Sequence, residues 1–256
     1  MNYPELLAKS TADIRIAVSL STILPFGMAT PVNDGEVARA SWALPVAGLA
    51  VGLAGAIVYA TAHRVGLPAE AAAALALAAT MLVTGAIHED GLADTLDGLG
   101  GGNGREQKLE IMRDSRIGTF GACALIVSIT LRWSALATIA EPMAVTAALL
   151  VAHAAARAAL PAFMLWIPPA RSDGLSAGAG QPPAQSAMIA VGLGFLCLVI
   201  GFGLGKAIMG LILLSIGALI WGFIATRQIG GQTGDILGAL EQVGEIVVLL
   251  MAATAI

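Results

Sequence analysis

Apolar residues run along this chain in long blocks with short polar interruptions, and block length is the first informative quantity. A helix that crosses a bilayer needs roughly 20 mostly apolar residues. Seven blocks reach that length, at 43–62, 70–87, 117–138, 143–166, 187–205, 207–225 and 236–255. An eighth, 16–28, is shorter, is broken by Pro25 and is flanked by Asp13 and Arg15. It reads as an interfacial or half-inserted segment. The pattern predicts an all-α, polytopic transmembrane helical bundle of about seven spans plus that N-terminal piece. No internal repeat and no separate soluble domain interrupts it, so 1–256 is expected to form a single integral-membrane domain.

Composition sharpens this. Of 256 residues, 57% are hydrophobic and only 12% charged, against about 25% charged in soluble domains. Mean hydropathy is +0.85. Lipid is the natural solvent for most of such a chain, and the 31 glycines suit helices that approach closely within it. Cys123 and Cys197 lie in apolar runs and read as buried, inert thiols. The N-terminus lacks the basic start and cleavage site of a signal peptide. Nothing resembles a nucleic-acid-binding patch.

Charge placement adds orientation. With seven alternating spans, the loops 29–42, 88–116, 167–186 and 226–235 share one side. They hold Arg39, Arg105, Lys108, Arg113, Arg116, Arg171 and Arg227, against Arg64 and Lys206 opposite. The positive-inside rule makes the first side cytoplasmic. Lys9 and Arg15 then keep the N-terminal segment from crossing. Every polar sequence with chemical character falls on that same face, which predicts one active site open to the cytoplasm, centred on the loop 88–116.

That loop opens His88-Glu89-Asp90-Gly91-Leu92-Ala93-Asp94-Thr95-Leu96-Asp97-Gly98. Asp90, Asp94 and Asp97 share one face of a helix. Three stacked carboxylates are unfavourable unless one is protonated or a cation lies among them. Oxygen ligands with room left for phosphate suit Mg²⁺. Glu89 points about 100° away and is a weaker ligand candidate. Gly100 and Gly101 admit close backbone approach to phosphate, or form a plain flexible turn. Further along, Glu106, Glu110 and Asp114 share a helical face, and Arg113 and Arg116 offer guanidinium forks to phosphate. Arg116 also reads as an interfacial anchor. His88 suits proton transfer or a helix-start hydrogen bond. Carboxylates for a metal beside arginines for phosphate are the parts of phosphoryl transfer.

Charges inside the spans are expensive and usually face the bundle interior. Arg157, one turn after His153, points to a polar cleft. Glu241 and Glu245 either line the same cleft or pair with Arg157 or Arg132. Such charges also mark ion paths, so a transporter is the rival from another class; it predicts polar groups on both sides, whereas these crowd one face.

The segment Thr84 to Gly101, followed by Glu110-Ile111-Met112-Arg113-Asp114-Ser115-Arg116-Ile117-Gly118-Thr119, resembles the adenosylcobinamide-GDP ribazoletransferase (cobalamin synthase) family. Weaker likeness covers Leu24-Pro25, Trp42 to Gly48, Ala170 to Leu175 and Gly231 to Ala239. The resemblance implies a Mg²⁺-dependent enzyme of the bacterial inner membrane. It would join adenosylcobinamide-GDP to α-ribazole, or its 5′-phosphate, giving adenosylcobalamin or its phosphate and GMP. On that footing Asp90, Asp94 and Asp97 hold Mg²⁺, with Glu89 in reserve. Asp114 is a further ligand or the base, and Arg113, Arg116, Arg157, Arg171 and Asp235 meet the substrates. Homo-oligomerisation or association with other corrinoid-pathway enzymes stays open. More loosely, Asp94-x-x-Asp97-Gly98 resembles the opening of the CDP-alcohol phosphotransferase motif, which makes a phospholipid synthase the runner-up.

Overall fold

The computed structural model describes residues 3–24 and 35–254. The expected segment 16–28 and loop 29–42 therefore lie partly outside the described residues. Among the described residues the secondary structure is helical, with one isolated bridge between Pro169 and Gln232.

The helix α1 (Tyr3–Ser21) packs on α3 (Leu44–Arg64) through Ile16, Ala17 and Val18. Its buried Asp13 accepts hydrogen bonds from Arg39 (3.0 Å), on the short α2 (Glu36–Ala40), and from Trp42 Nε1 (2.9 Å). The axis of the bundle is α8 (Pro142–Trp166), whose Ala148, Ala152, Ala154, Ala155, Ala156 and Ala158 are all buried. In lipid no hydrophobic effect drives helices together, so small residues that permit backbone contact must do it. At Gly52 of α3 a Cβ would lie 2.6 Å from the Leu149 carbonyl oxygen. At Gly244 of α11 (Gly234–Ala253) it would lie 2.9 Å from the Ala156 methyl.

Among the described residues, five segments are long and apolar enough to cross a membrane, six if one bent pair makes a single span. The seven blocks of the sequence pattern differ from that count at two places. First, α10 (Ala184–Ile229) counts as one segment but breaks at Gly203, which leaves helical geometry at φ 79°, so the blocks 187–205 and 207–225 are two helices. The chain folds back there: a Cβ at Gly210 would touch Leu198 at 3.1 Å, whereas twelve residues of straight helix span about 18 Å. Second, the block 70–87 does not end in a loop. α4 (Ala69–Thr84) stops at two successive left-handed residues, Gly85 (φ 63°) and Ala86 (φ 56°), and α5 (Ile87–Gly101) departs at 88°.

The expected loop 88–116 is thus corrected to two helices, α5 and α6 (Arg105–Ile111), followed by non-helical residues up to α7 (Thr119–Ile139). α5 packs between α7 and α11. Turned at 88° from α4, it carries Glu89, Asp90, Asp94 and Asp97. Asp114 follows the end of α6, so it does not share a helical face with Glu106 and Glu110. Both cysteines are unpaired, and Cys123 is exposed on α7 rather than buried; on a lipid-bathed helix, exposure is where an apolar thiol belongs.

Candidate active site

Glycine positions the acidic face. Where α5 crosses α11, Gly91 sits 3.2 Å, measured from the place its Cβ would take, from the Cα atoms of Asp235 and Gly238. Only two facing glycines let backbones come this close. The crossing sets Asp235, in the first turn of α11, beside Asp90 and Asp94. Among the described residues, neither the Asp90 nor the Asp94 carboxyl group has a hydrogen-bond or ion-pair partner, Asp90 bonding only through its backbone N–H to the Ala86 carbonyl. Half-burial and the surrounding charges of Asp90, Asp235, Asp97 and Asp114 push the Asp94 carboxyl up to about 7. A carboxylate so placed takes up either a proton or a cation.

Asp97 is occupied differently. It is buried, and its two oxygens accept the Gly118 and Gly121 backbone N–H groups at 2.7 and 2.9 Å, capping the start of α7. Gly100 and Gly101 finish α5 rather than forming a phosphate nest, since neither has a positive φ. At Gly100 a Cβ would strike the Phe120 ring at 2.7 Å, so this glycine serves packing.

Basic groups line the neighbouring wall. An open cavity of about 920 Å³ is bordered by Arg105, Arg113, Arg171, Ser172 and Asp173. Arg113 donates to both oxygens of Asp173 at 2.7 and 2.8 Å. Arg171 lies 3.6 Å from Asp235, and its Nη1 is buried without a partner. Arg116 points elsewhere: exposed, it forks onto Asp114 at 3.0 Å and holds that carboxyl below its ordinary range. Arg105 donates to the carbonyls of Ile229 (2.9 Å) and Ala170, tying α6 to the chain either side of the cavity. The sequence reading passed over Arg105 and Asp173; no periodicity marks either, because their partners lie far along the chain.

A second polar assembly is sealed within the bundle. Arg132 of α7 bonds Glu89 at 3.1 Å and Glu245 at 3.0 Å. Arg157 of α8 contacts Glu241, Glu245 (3.2 Å), His153 and His88 Nδ1 (3.3 Å), and His153 in turn contacts Glu245. Arg132, Arg157, Glu241 and Glu245 are essentially inaccessible. Arg157, expected near substrate, is thus committed to Glu241 and Glu245, and Glu89, expected near the metal, to Arg132. Three carboxylates, Glu89, Glu241 and Glu245, face the two guanidiniums, with His88 and His153 packed against them. His153, Glu241 and Glu245 have the spacing of a metal site, but two adjacent guanidiniums disfavour a cation there.

The oxygen donors that fit Mg²⁺ are instead Asp90 and Asp94, one turn apart on α5. Their oxygen-only chemistry matches an ion that takes one or two carboxylates, keeps several waters and completes its shell with substrate phosphate. Asp94, lacking any cation of its own, supplies the observation.

Comparison with known proteins places this arrangement. The family model for cobalamin-5-phosphate synthase matches residues 13–253. An adenosylcobinamide-GDP ribazoletransferase of Bradyrhizobium diazoefficiens is 64% identical over 97% of this chain and 96% of its own. One of Mesorhizobium japonicum is 54% identical over 86% and 85%, and one of Azorhizobium caulinodans 43% over 92% and 95%. No solved structure matches. With its apolar helices and a single end crowded with carboxylates and arginines, the chain belongs to the cobalamin-5-phosphate synthase family, enzymes of cobalamin synthesis that transfer a phosphate-bearing group.

Proposed function

We propose that this protein transfers the adenosylcobinamide-phosphate group of adenosylcobinamide-GDP to α-ribazole or its 5′-phosphate, releasing GMP, at a Mg²⁺-dependent site open to the cytoplasm. The reading rests on one observation above the rest. Asp90 and Asp94 lie one turn apart on α5 without an ion-pair partner among the described residues, and Asp235 next to them pairs with Arg171 of the arginine-lined cavity.

The nucleophile is a ribose hydroxyl of the acceptor. Its oxygen bonds to the phosphorus carrying the corrinoid arm, the bond from that phosphorus to the GMP oxygen breaks, and the hydroxyl proton leaves. Mg²⁺ held by Asp90 and Asp94 would neutralise diphosphate charge and stabilise the departing GMP oxygen. Arg171, with its unpartnered Nη1, and Arg113 grip phosphate oxygens, fixing the diphosphate for in-line attack. Asp235, held by Thr233 at 3.1 Å, stands between arginines and carboxylates and can receive the proton. Asp114, fixed as an ionised partner of Arg116, is a poor base, and its part is to hold Arg116.

The test is GMP release by the purified protein in detergent, from adenosylcobinamide-GDP with α-ribazole 5′-phosphate, with and without Mg²⁺. Release should need both acceptor and metal and should collapse in Asp94→Asn. Asp97→Asn is the comparator. It should melt lower, by about 1–2 kcal/mol for a lost cap, yet keep its Mg²⁺ response. Full activity in Asp94→Asn sinks the metal assignment, and CMP release from a CDP-alcohol without GMP release sinks the reaction.

A further inference from the structure

We propose that a second, apolar cavity takes the aromatic base of the acceptor nucleoside; this deepens the reading above and rests on it. The cavity, about 740 Å³, falls within the range of roughly 300–1,000 Å³ typical of small-molecule pockets. A nucleoside fits such a volume, whereas a corrin macrocycle with its nucleotide arm does not. Leu20 of α1, Ala38 of α2, Leu160 and Met164 of α8, and Leu237 of α11 supply apolar walls suited to a flat hydrophobic ring.

Two relations tie this cavity to the chemistry. The first is the short helix α9 (Leu175–Ala179), which forms a partition: Ala177 borders the arginine-lined cavity, while Ser176 and Gly178 border the apolar one. The second is Asp235. Gly234 and Gly238 on either side of it line the apolar cavity, while its carboxylate reaches Arg171 of the other. A base lodged in the apolar cavity would carry its ribose to the carboxylates, and a diphosphate on the arginines would arrive from the opposite side.

The cavity also holds an unanswered polar atom. Ser19 lines it, and the Ser19 hydroxyl oxygen is buried without a hydrogen-bond partner. Such a group is costly unless something satisfies it. An acyl chain would leave it orphaned. A nitrogen heterocycle bearing a sugar offers ring nitrogen and hydroxyl partners, and apolar walls with one or two placed polar groups are how pockets fix such ligands.

Gly178 provides the probe, because a Cβ built there meets no atom within 4 Å. Gly178→Phe should therefore fill the cavity without displacing the fold. In steady-state GMP release it should raise KM for α-ribazole about tenfold or more, leaving KM for adenosylcobinamide-GDP and the melting temperature unchanged. Ser19→Ala should raise the same acceptor KM by about fivefold. An unchanged acceptor KM in Gly178→Phe overturns the assignment, as does an equal rise in donor KM. So does loss of co-purifying phospholipid with kinetics intact, which would mark a lipid groove. If the wild type itself transfers nothing to α-ribazole or its 5′-phosphate, the proposed function falls. If it does transfer and Gly178→Phe is silent, only the pocket falls.

Discussion

The crossing of α5 and α11 can be probed by a single methyl group. In Gly91→Ala the new Cβ would lie 3.0 Å from the Asp235 carbonyl oxygen and 3.2 Å from the Cα atoms of Asp235 and Gly238. Carbon atoms pack best at about 3.5–4.0 Å, so the two helices must part by roughly 0.5 Å. All three obstructing atoms are backbone, and no rotamer change relieves them. Overpacking of this kind costs about 1–3 kcal/mol. The effect on rate is more diagnostic. A 1 Å misplacement of catalytic groups can cost about 10²-fold, so a half-ångström shift of Asp235 from Asp90 and Asp94 should slow GMP release by about tenfold. The assay pairs initial rates with thermal melting in the same detergent. Gly192→Ala is the control: nothing lies within 4 Å of its Cβ, and alanine in a helix gains up to about 1 kcal/mol over glycine. Wild-type rate together with wild-type melting in Gly91→Ala would refute the idea that this contact sets the carboxylate spacing. A lowered melt at full rate would confine its role to the fold.

Two further outcomes follow from the charges. Arg132→Met strips the shared cation from Glu89 and Glu245, and breaking a buried pair costs about 3–5 kcal/mol. A marked fall in melting temperature is expected, partly restored when Glu89→Gln is added; an unchanged melt would mean the pairs contribute nothing. The second outcome concerns pH. Asp94 titrates near 7 in the folded protein and near 4 when unfolded. The folded state then binds the extra proton between those values, so metal-free stability should fall as pH rises through that window. Mg²⁺ competes with that proton, so the thermal shift it produces should grow up to about pH 7 and level off above. A shift independent of pH, or one kept in Asp94→Asn, would separate Asp94 from the metal.

Block length and composition made the helical bundle legible, because lipid admits few alternatives to helices. The pairing of Asp90 with Asp94 was legible too, from helical spacing alone. What escaped the reading was tertiary. Hydropathy runs smoothly through Gly85 and Ala86 and cannot register two left-handed residues, so the elbow is invisible and the acidic helix expected within the loop 88–116 could not be set at 88° to α4. Asp97 carries the same charge and period as its neighbours, yet backbone donors from α7 claim both its oxygens. Nothing in the sequence sets Gly91 apart from the neighbouring glycines, and its purpose appears only when α11 lies against it. The choice of partners for Glu241 and Glu245 was open from sequence, and helix packing resolves it in favour of both Arg132 and Arg157.

The buried charges have a consequence for how the protein is made. Glu89, Arg132, Arg157 and the pair Glu241 and Glu245 come from four different helices, α5, α7, α8 and α11. During insertion each arrives alone, and a lone charge at mid-membrane opposes insertion by about 2.5–3.5 kcal/mol. The arginines of α7 and α8 emerge from the ribosome well before α11 exists. Until that helix docks they must stay near headgroups or water, or shelter against Glu89. Neutralisation is therefore a late event in biogenesis, and it rewards only the correct set of neighbours. A chain whose last helix fails to dock would hold two guanidiniums against the single carboxylate of Glu89, leaving one cation unmatched within the bundle.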